Sequence, residues 1–410
     1  MGMIIRLAWR SLWRNKRRTL ITVCSIALGL TFAIFFIALA EGAYEQMIEQ
    51  MVRIQSGHIT LEHSEYREAP SVDLWITVPS RLRSHVEKWP AVEETKLVIL
   101  GQGIVKSGAG NMAAAIMGVE PAVEKTSSPV ARNIIKGKYI EPKDNPQVVV
   151  GSEMAERLNL AVGKKLVIAT NDISGTLVEE LCRVKGIFRT GSEEVDAYVI
   201  QMPINFARRL FHLPRGGATQ MGVILKDPGD QKQVMKRIKG RLDDRPISVL
   251  SWQEVMPDVA TYIKMDKGSN LIFQGILIFL ILFTIFNTLS MSVLERQREF
   301  AMLLAVGTTA RRLKLQVFTE TVYLGLIGCG VGILFGGLAV VYGHFYGINL
   351  SAIMGESVNI SGFALSSKMY TKLSFGIFFN SAVAVLAATL LLGLVPMRRA
   401  ARINIVDTLR

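Results

Sequence analysis

Leu294–Glu320 reads LERQREFAMLLAVGTTARRLKLQVFTE and lies between two long apolar runs. Its first half has helical spacing. Phe300, Leu303 and Leu304 fall at i, i+3 and i+4 and share a face, while Arg296, Gln297 and Glu299 lie mostly elsewhere. Gly307 follows the last periodic residue, where a helix C-cap is expected. Thr308 or Thr309 can then cap a second helix that begins with Arg311 and Arg312. A charged helix–turn–helix between two membrane spans is a part that something in the cytoplasm can grip.

Charge patterning places that stretch. The chain has 410 residues, half of them hydrophobic, a mean hydropathy of +0.32 and a net charge of +13. Residues 1–18 carry +6 with no acid, residues 295–316 carry +3, and the tail around Arg398, Arg399, Arg402 and Arg410 carries +3. Segment 41–267 holds 30 bases and 29 acids. Basicity concentrated beside apolar spans marks the cytoplasmic side and argues against a nucleic-acid partner. The three cysteines are Cys24 and Cys329 in apolar runs and Cys182 in the large segment, so no internal disulfide is expected there. Cys182 is expected to react with an impermeant thiol reagent from the periplasmic side.

Leu20–Ala40 is 21 uncharged residues, longer than a signal-peptide core, and reads as an uncleaved anchor. A basic lead with Trp9 and Trp13 precedes it, a composition suited to the membrane interface. Tyr44, Met47, Ile48, Met51 and Val52 then continue at helical spacing, which predicts a stalk. Their stripe, with Val259 and Ile263 opposite, is either ordinary packing or an apolar groove for acyl chains. Segment 55–267 alternates strand and helix signals and reads as an α+β domain. Strands are expected at 58–62, 95–106, 113–119, 147–150, 164–170, 176–188, 219–226 and 247–251. Helices are expected at 79–88, 152–158, 203–211 and 229–241. Ser251-Trp252-Gln253-Glu254 is a capping box that should start a helix running through Val255 and Val259 into the next span.

Leu271–Leu294 and Thr321–Val341 are the second and third spans. Gly328, Gly332 and Gly336 recur every four residues in the third, a ridge that permits close helix contact within the chain or with another copy. Leu373–Val395 is the fourth span, which Pro396 should end. Glu320 at the edge of the third span reads as interfacial. No GxxxxGK[ST], HExxH, CxxC or nucleophile elbow is present, so neither a catalytic residue nor a metal or cofactor site is expected in this chain.

Several motifs together resemble the four-span permeases of the lipoprotein-releasing and macrolide-exporter type of ABC transporter. Trp13-Arg14-Asn15-Lys16-Arg17-Arg18-Thr19-Leu20 looks like that family's lead. Arg298 through Gly307 is similar to its coupling helix, with Phe300 and Met302 where smaller or aliphatic residues are usual. Pro396 through Arg402 and the closing Leu409-Arg410 resemble its C-terminal signature.

The resemblance implies a membrane protein of four transmembrane helices with a large periplasmic α+β domain between the first two. That domain would have a porter-like part (about 55–120 and 216–251) and an inserted β-rich part (about 121–215). The expected order is a cytoplasmic lead (1–18), a first span (19–41), the periplasmic domain with stalks (42–267), a second span (270–294) and the coupling segment (295–316). A third span (318–342), a periplasmic loop (343–372), a fourth span (373–396) and a cytoplasmic tail (397–410) follow.

The resemblance also implies an inner-membrane location and a cytoplasmic ATPase dimer that binds ATP-Mg. That dimer would dock on Arg296, Arg298, Glu299, Phe300, Leu303, Leu304 and Gly307. A second permease subunit, identical or paralogous, is implied, and so is a lipoprotein or other amphipathic substrate passed toward a periplasmic carrier. The 171–180 turn is a candidate carrier loop. Efflux, regulation of cell-wall hydrolases, and membrane-anchored binding or signalling without ATP are the alternatives.

Overall fold

The computed structural model describes the chain except residues 1, 56, 79, 243–245, 350–358, 361–362, 365–367 and 401–410. Arg402, Leu409, Arg410 and part of the second outer loop therefore lie outside the described residues. The chain divides into two compact units. One comprises Met1–Tyr44, Ile263–Asn349 and Lys368–Arg410, the other Glu45–Tyr262 and Leu350–Ser367.

The first unit is helical. Lys16–Ile54, Pro257–Glu295, Ala310–Tyr346 and Phe375–Ala400 are each long and apolar enough to cross a membrane. A short lead helix, Gly2–Arg14, precedes the first of them after a one-residue break at Asn15. Ile26, Leu30, Ile34 and Ala38 recur every fourth residue and form one buried stripe, packed with Ile281, Ile285 and Leu289 of the second span and Leu324 and Val340 of the third. The opposite faces leave Phe32, Phe36, Phe279, Phe283, Leu334 and Leu391 exposed, which suits a hydrocarbon solvent.

The glycine ridge finds its partner inside the chain. A Cβ on Gly328 would lie 2.7 Å from that of Ile26, and one on Gly332 would lie 2.9 Å from that of Leu30. On Gly336 the nearest atom would be Ile34 Cβ at 3.3 Å. Two stripes of period four interdigitate here, so glycine is required for the backbones to approach.

The second unit is built on one ten-stranded sheet. The strands of that sheet, with one separate short pair, are β1 Ile59–His63, β2 Ile76–Thr77, β3 Val92–Ser107, β4 Gly110–Val119, β5 Ile134–Gly137 and β6 Gln147–Gly151. The others are β7 Lys165–Asn171, β8 Leu177–Phe188, β9 Val199–Pro203, β10 Gly217–Ala218, β11 Gln220–Leu225 and β12 Ile247–Ser251. The order is β12-β1-β11-β3-β4-β9-β6-β8-β5, with β7 bridging β3 and β8, and the short β2 and β10 pair separately.

All eight expected strands form. β5 and β9 are additional in this sheet, and β2 and β10 are additional outside it. Ile59, Leu61, Val86, Val223, Val234 and Val249 make a core drawn from residues 55–120 and 216–251 alone. Residues 121–215 have no such separate core; Val150, Leu166, Ile168 and Phe211 pack with Ile99, Val105 and Ile116 of β3 and β4.

Two helix boundaries differ from expectation. The capping box forms, with Ser251 N–H donating to Glu254 Oε2 at 2.7 Å, but its helix stops at Val255. Met256 leaves helical geometry because Pro257 follows, and a new helix starts at Pro257. Pro396 does not end the fourth span; it lies inside Phe375–Ala400. Proline there forfeits one backbone hydrogen bond, yet the helix continues to Ala400, which is buried with Val293, Phe300, Leu313 and Val317.

Candidate functional site

The stretch between the second and third spans folds as a helix, a turn and the start of a second helix. Gln297–Ala305 ends on Val306, and Gly307 follows with φ +99°. Thr308 N–H donates to Leu303 O at 2.9 Å and Gly307 N–H to Leu304 O at 3.1 Å, the paired bonds of a Schellman cap. Thr309 takes the N-cap position of Ala310–Tyr346 without a side-chain cap bond.

The faces of this helix differ from the expected docking surface. Phe300 is 1 % exposed and Arg296 is 8 % exposed, so neither is available at the surface. Phe300 packs with Val293, Leu313, Val317 and Ala400, and Leu304 and Met397 lean on the same cluster. The i, i+4 pair Phe300/Leu304 therefore faces the bundle. Leu303 turns outward with Met302 and Val306, and Arg298 is exposed beside them. The apolar pair Met302/Val306, also at i, i+4, is the signal that sequence reasoning passed over.

Arg296 Nη1 lies 3.1 Å from both oxygens of Glu320, and its Nε lies 3.2 Å from Glu299 Oε2. Glu320 is thus a buried ion-pair partner at the edge of the third span. Glu299 is held from the other side by Arg14 Nη2, at 2.8 and 2.7 Å from its two oxygens. The Arg14 hydrogen bond, followed by that of Arg296, keeps the Glu299 carboxyl below its ordinary range. Arg18 pairs with Glu295 at 3.0 Å. The lead helix is thereby tied to the helix that follows the second span.

At the opposite end of this unit a cavity of about 650 Å³ opens between the first, second and fourth spans. Ile37, Ile278, Ile377 and Ala384 supply its apolar wall; Glu41, Gln274, Lys372, Asn380 and Ser381 supply polar groups. Glu41 binds Lys267 at 2.8 Å, and Lys267 sits over the Tyr44 ring at 5.2 Å. The Tyr44 hydroxyl is bonded to Asp266 and accepts from Asn270 Nδ2 at 2.7 Å. Sequence reasoning missed this cavity. Gln274 and Asn380, polar residues inside apolar runs, were the available signal.

Tyr44, Met47, Met51, Val259 and Ile263 are all buried, and Ile48 is half-buried. Met51 does line a cavity of about 730 Å³ in the sheet unit, with Ile54, Tyr66, Leu100, Met117 and the turn at Asp172. That turn is fastened. Asp172 Oδ1 accepts from Ser174 and Thr176 N–H at 2.9 Å, and Asp172 Oδ2 lies 2.7 Å from His212 Nδ1. The Ser174 hydroxyl first, then His212, hold the Asp172 carboxyl well below the usual range.

Cys182 is 1 % exposed and burial pushes its thiol up to about 12, so the expected surface labelling does not apply to it. Among the described residues no three His, Cys, Asp or Glu side chains come together as a metal site.

Comparison with known proteins covers nearly the whole chain. Residues 19–241 match the model of the MacB-like periplasmic core domain, and residues 271–405 match that of the FtsX-like permease C-terminal domain. An ABC transporter permease of Methanocaldococcus jannaschii is 22% identical over 99% of this chain and 97% of its own length. The lipoprotein-releasing system transmembrane protein LolC of Neisseria meningitidis is 20% identical over 96% of this chain and 94% of its own. An ABC transporter permease protein of Mycobacterium tuberculosis is 25% identical over 80% of this chain, which spans only 37% of that longer relative. Among solved structures, the periplasmic region of MacB from Actinobacillus actinomycetemcomitans aligns with 49% of this chain and 92% of its own at 12% identity and a TM-score of 0.36.

Proposed function

The chain belongs to the ABC transporter permeases that join a MacB-like periplasmic core domain to an FtsX-like permease domain, and from that premise we propose that it releases lipid-anchored proteins from the inner membrane. It is a multi-pass inner-membrane protein with a periplasmic domain. The observation that carries the proposal is the 650 Å³ cavity between three spans, apolar on one wall and polar near Glu41, Gln274 and Lys372. A two-part site of this kind fits an acyl chain joined to a polar headgroup or peptide.

In this reading the force comes from a separate cytoplasmic ATPase dimer that binds ATP-Mg. It docks on Arg298, Glu299, Met302, Leu303, Val306 and Gly307, while Arg296, Phe300 and Leu304 keep that helix rigid against the bundle. A second permease subunit, identical or paralogous, completes the assembly, and a periplasmic carrier takes the released protein. The 171–180 turn, fastened by Asp172, is the proposed carrier contact. Export of a small amphiphile is the second reading. It is favoured by 24% identity over 86% of this chain to the pyoverdine export protein PvdT of Pseudomonas fluorescens.

Photo-crosslinkers at Gln274, Ile278 and Asn380 in cells fed an alkyne fatty acid test the proposal. Capture of acylated protein at these positions, and not at lipid-facing Phe283, is expected. Capture of a small molecule without acylated protein supports the second reading. Leu303→Asp is expected to abolish co-purification of the ATPase; ATP hydrolysis by the chain alone would overturn the proposal of a separate ATPase.

A further inference from the structure

The lead helix Gly2–Arg14 carries a surface that the transport scheme leaves unused. Ala8 and Leu12 are buried, and Trp9 stacks edge-on against Tyr323 of the third span at 5.5 Å. That contact sets the helix at the level of the third span's cytoplasmic end, three residues beyond Glu320. Trp13 and Leu7 are 50 % and 44 % exposed. Arg6, Arg10, Lys16 and Arg17 are exposed and make no ion pair among the described residues. Arg14 and Arg18, by contrast, are committed to Glu299 and Glu295. The surface thus offers indole rings and four uncompensated cations, with no acid between residues 1 and 18. Its complement is a layer of anionic headgroups over hydrocarbon.

We propose that this helix, with Lys16 and Arg17, is a binding surface for anionic phospholipid, and that the Arg14–Glu299 bridge ties it to the helix on which the ATPase is proposed to dock. Indole rings settle at the headgroup level, and each basic side chain gains from the negative potential of the cytoplasmic leaflet. A lead helix drawn onto charged lipid holds Arg14 in place. Arg14 then fixes Glu299, and with it the orientation of Gln297–Ala305. The lipid arm of this proposal does not depend on the identity of the ATPase or of the cargo.

The test uses the full chain in nanodiscs of phosphatidylcholine with about 30 mol % phosphatidylglycerol. Bromine is placed on the acyl chains of one lipid or the other. Trp9 and Trp13 are the tryptophans in the membrane unit, and Trp75, Trp89 and Trp252 give a constant background. Brominated phosphatidylglycerol is expected to quench about twofold more, per mole, than brominated phosphatidylcholine. The preference should vanish in the Arg6→Gln, Arg10→Gln, Lys16→Gln, Arg17→Gln variant. In the unmodified chain it should also vanish in about 0.5 M salt, which needs no mutant.

Equal quenching by the two lipids would overturn the proposal, because the helix would then adsorb by its apolar face alone. Absence of quenching by either lipid would also overturn it, because protein would then cover the face. For the link, a nitroxide at exposed position 306 should change its line shape when phosphatidylglycerol is added. Glu299→Gln should remove that response, and a response that persists would sever the link.

Discussion

Arg296 and Glu320 face each other across the helix–turn–helix, with one guanidinium nitrogen 3.1 Å from each carboxylate oxygen and both residues less than a tenth exposed. They are 24 positions apart and close the elbow between the second and third spans. Arg296 also stacks its guanidinium over the Phe300 ring at 4.8 Å, so the pair orients the helix that starts at Gln297.

Breaking that pair on one side should be costly. Glu320→Gln leaves a buried guanidinium with only Glu299 to balance it, and the expected loss is about 3 kcal/mol. The double replacement Arg296→Met, Glu320→Leu should recover most of it, since a packed apolar pair avoids desolvation. Denaturant titration in mixed micelles measures both. Equal destabilisation in the single and double variants would contradict the assignment.

The glycine ridge makes a paired prediction. Gly332→Leu must displace Leu30 or the first span's backbone and should cost about 1–3 kcal/mol. Gly330→Leu, two residues away, meets nothing within 4 Å and should leave stability unchanged. Melting of the detergent-solubilised chain followed by size-exclusion chromatography separates the two. An equal effect at both positions would remove the ridge as the reason.

Cys182 should stay unlabelled by an impermeant maleimide until the chain unfolds. Leu177→Cys, at a position 65 % exposed at the start of β8, should label rapidly from the periplasmic face of intact spheroplasts. Labelling of the Leu177→Cys chain only after lysis would invert the topology.

The Asp172 lock has a definite pH dependence. Its folded carboxyl is held below its ordinary range, so its contribution is complete above that range, about pH 4–5, and is lost as pH falls through the lower folded value. Asp172→Asn should therefore speed hydrogen exchange at Ser174 and Thr176 near neutral pH. The difference from the unmodified chain should shrink in strong acid. A difference that grew on acidification would carry the wrong sign.

Much of the architecture was legible before any coordinates. Uncharged runs longer than 20 residues, basic clusters beside them and strand and helix signals between them give the spans, their orientation and the strand positions, because each signal is local. The reversal at Gly307 was legible too, since positive φ favours a residue without Cβ. Which face of Gln297–Ala305 is free was not. Phe300, Leu303 and Leu304 are equally apolar in sequence, and only the packing of Val293, Leu313, Val317 and Ala400 around Phe300 decides among them.

Residue identity and spacing determined the class of molecule: four spans, a soluble insert and a charged helix–turn–helix on the cytoplasmic side. Tertiary structure decided the partners. It set Gly332 against Leu30, Arg296 against Glu320 and Arg14 against Glu299, and it opened a cavity beside Gln274 and Asn380. Those pairings join residues as many as 302 positions apart in the chain. A periodic pattern records which side of a helix is apolar; the segment that covers that side is fixed only when distant parts of the chain pack together.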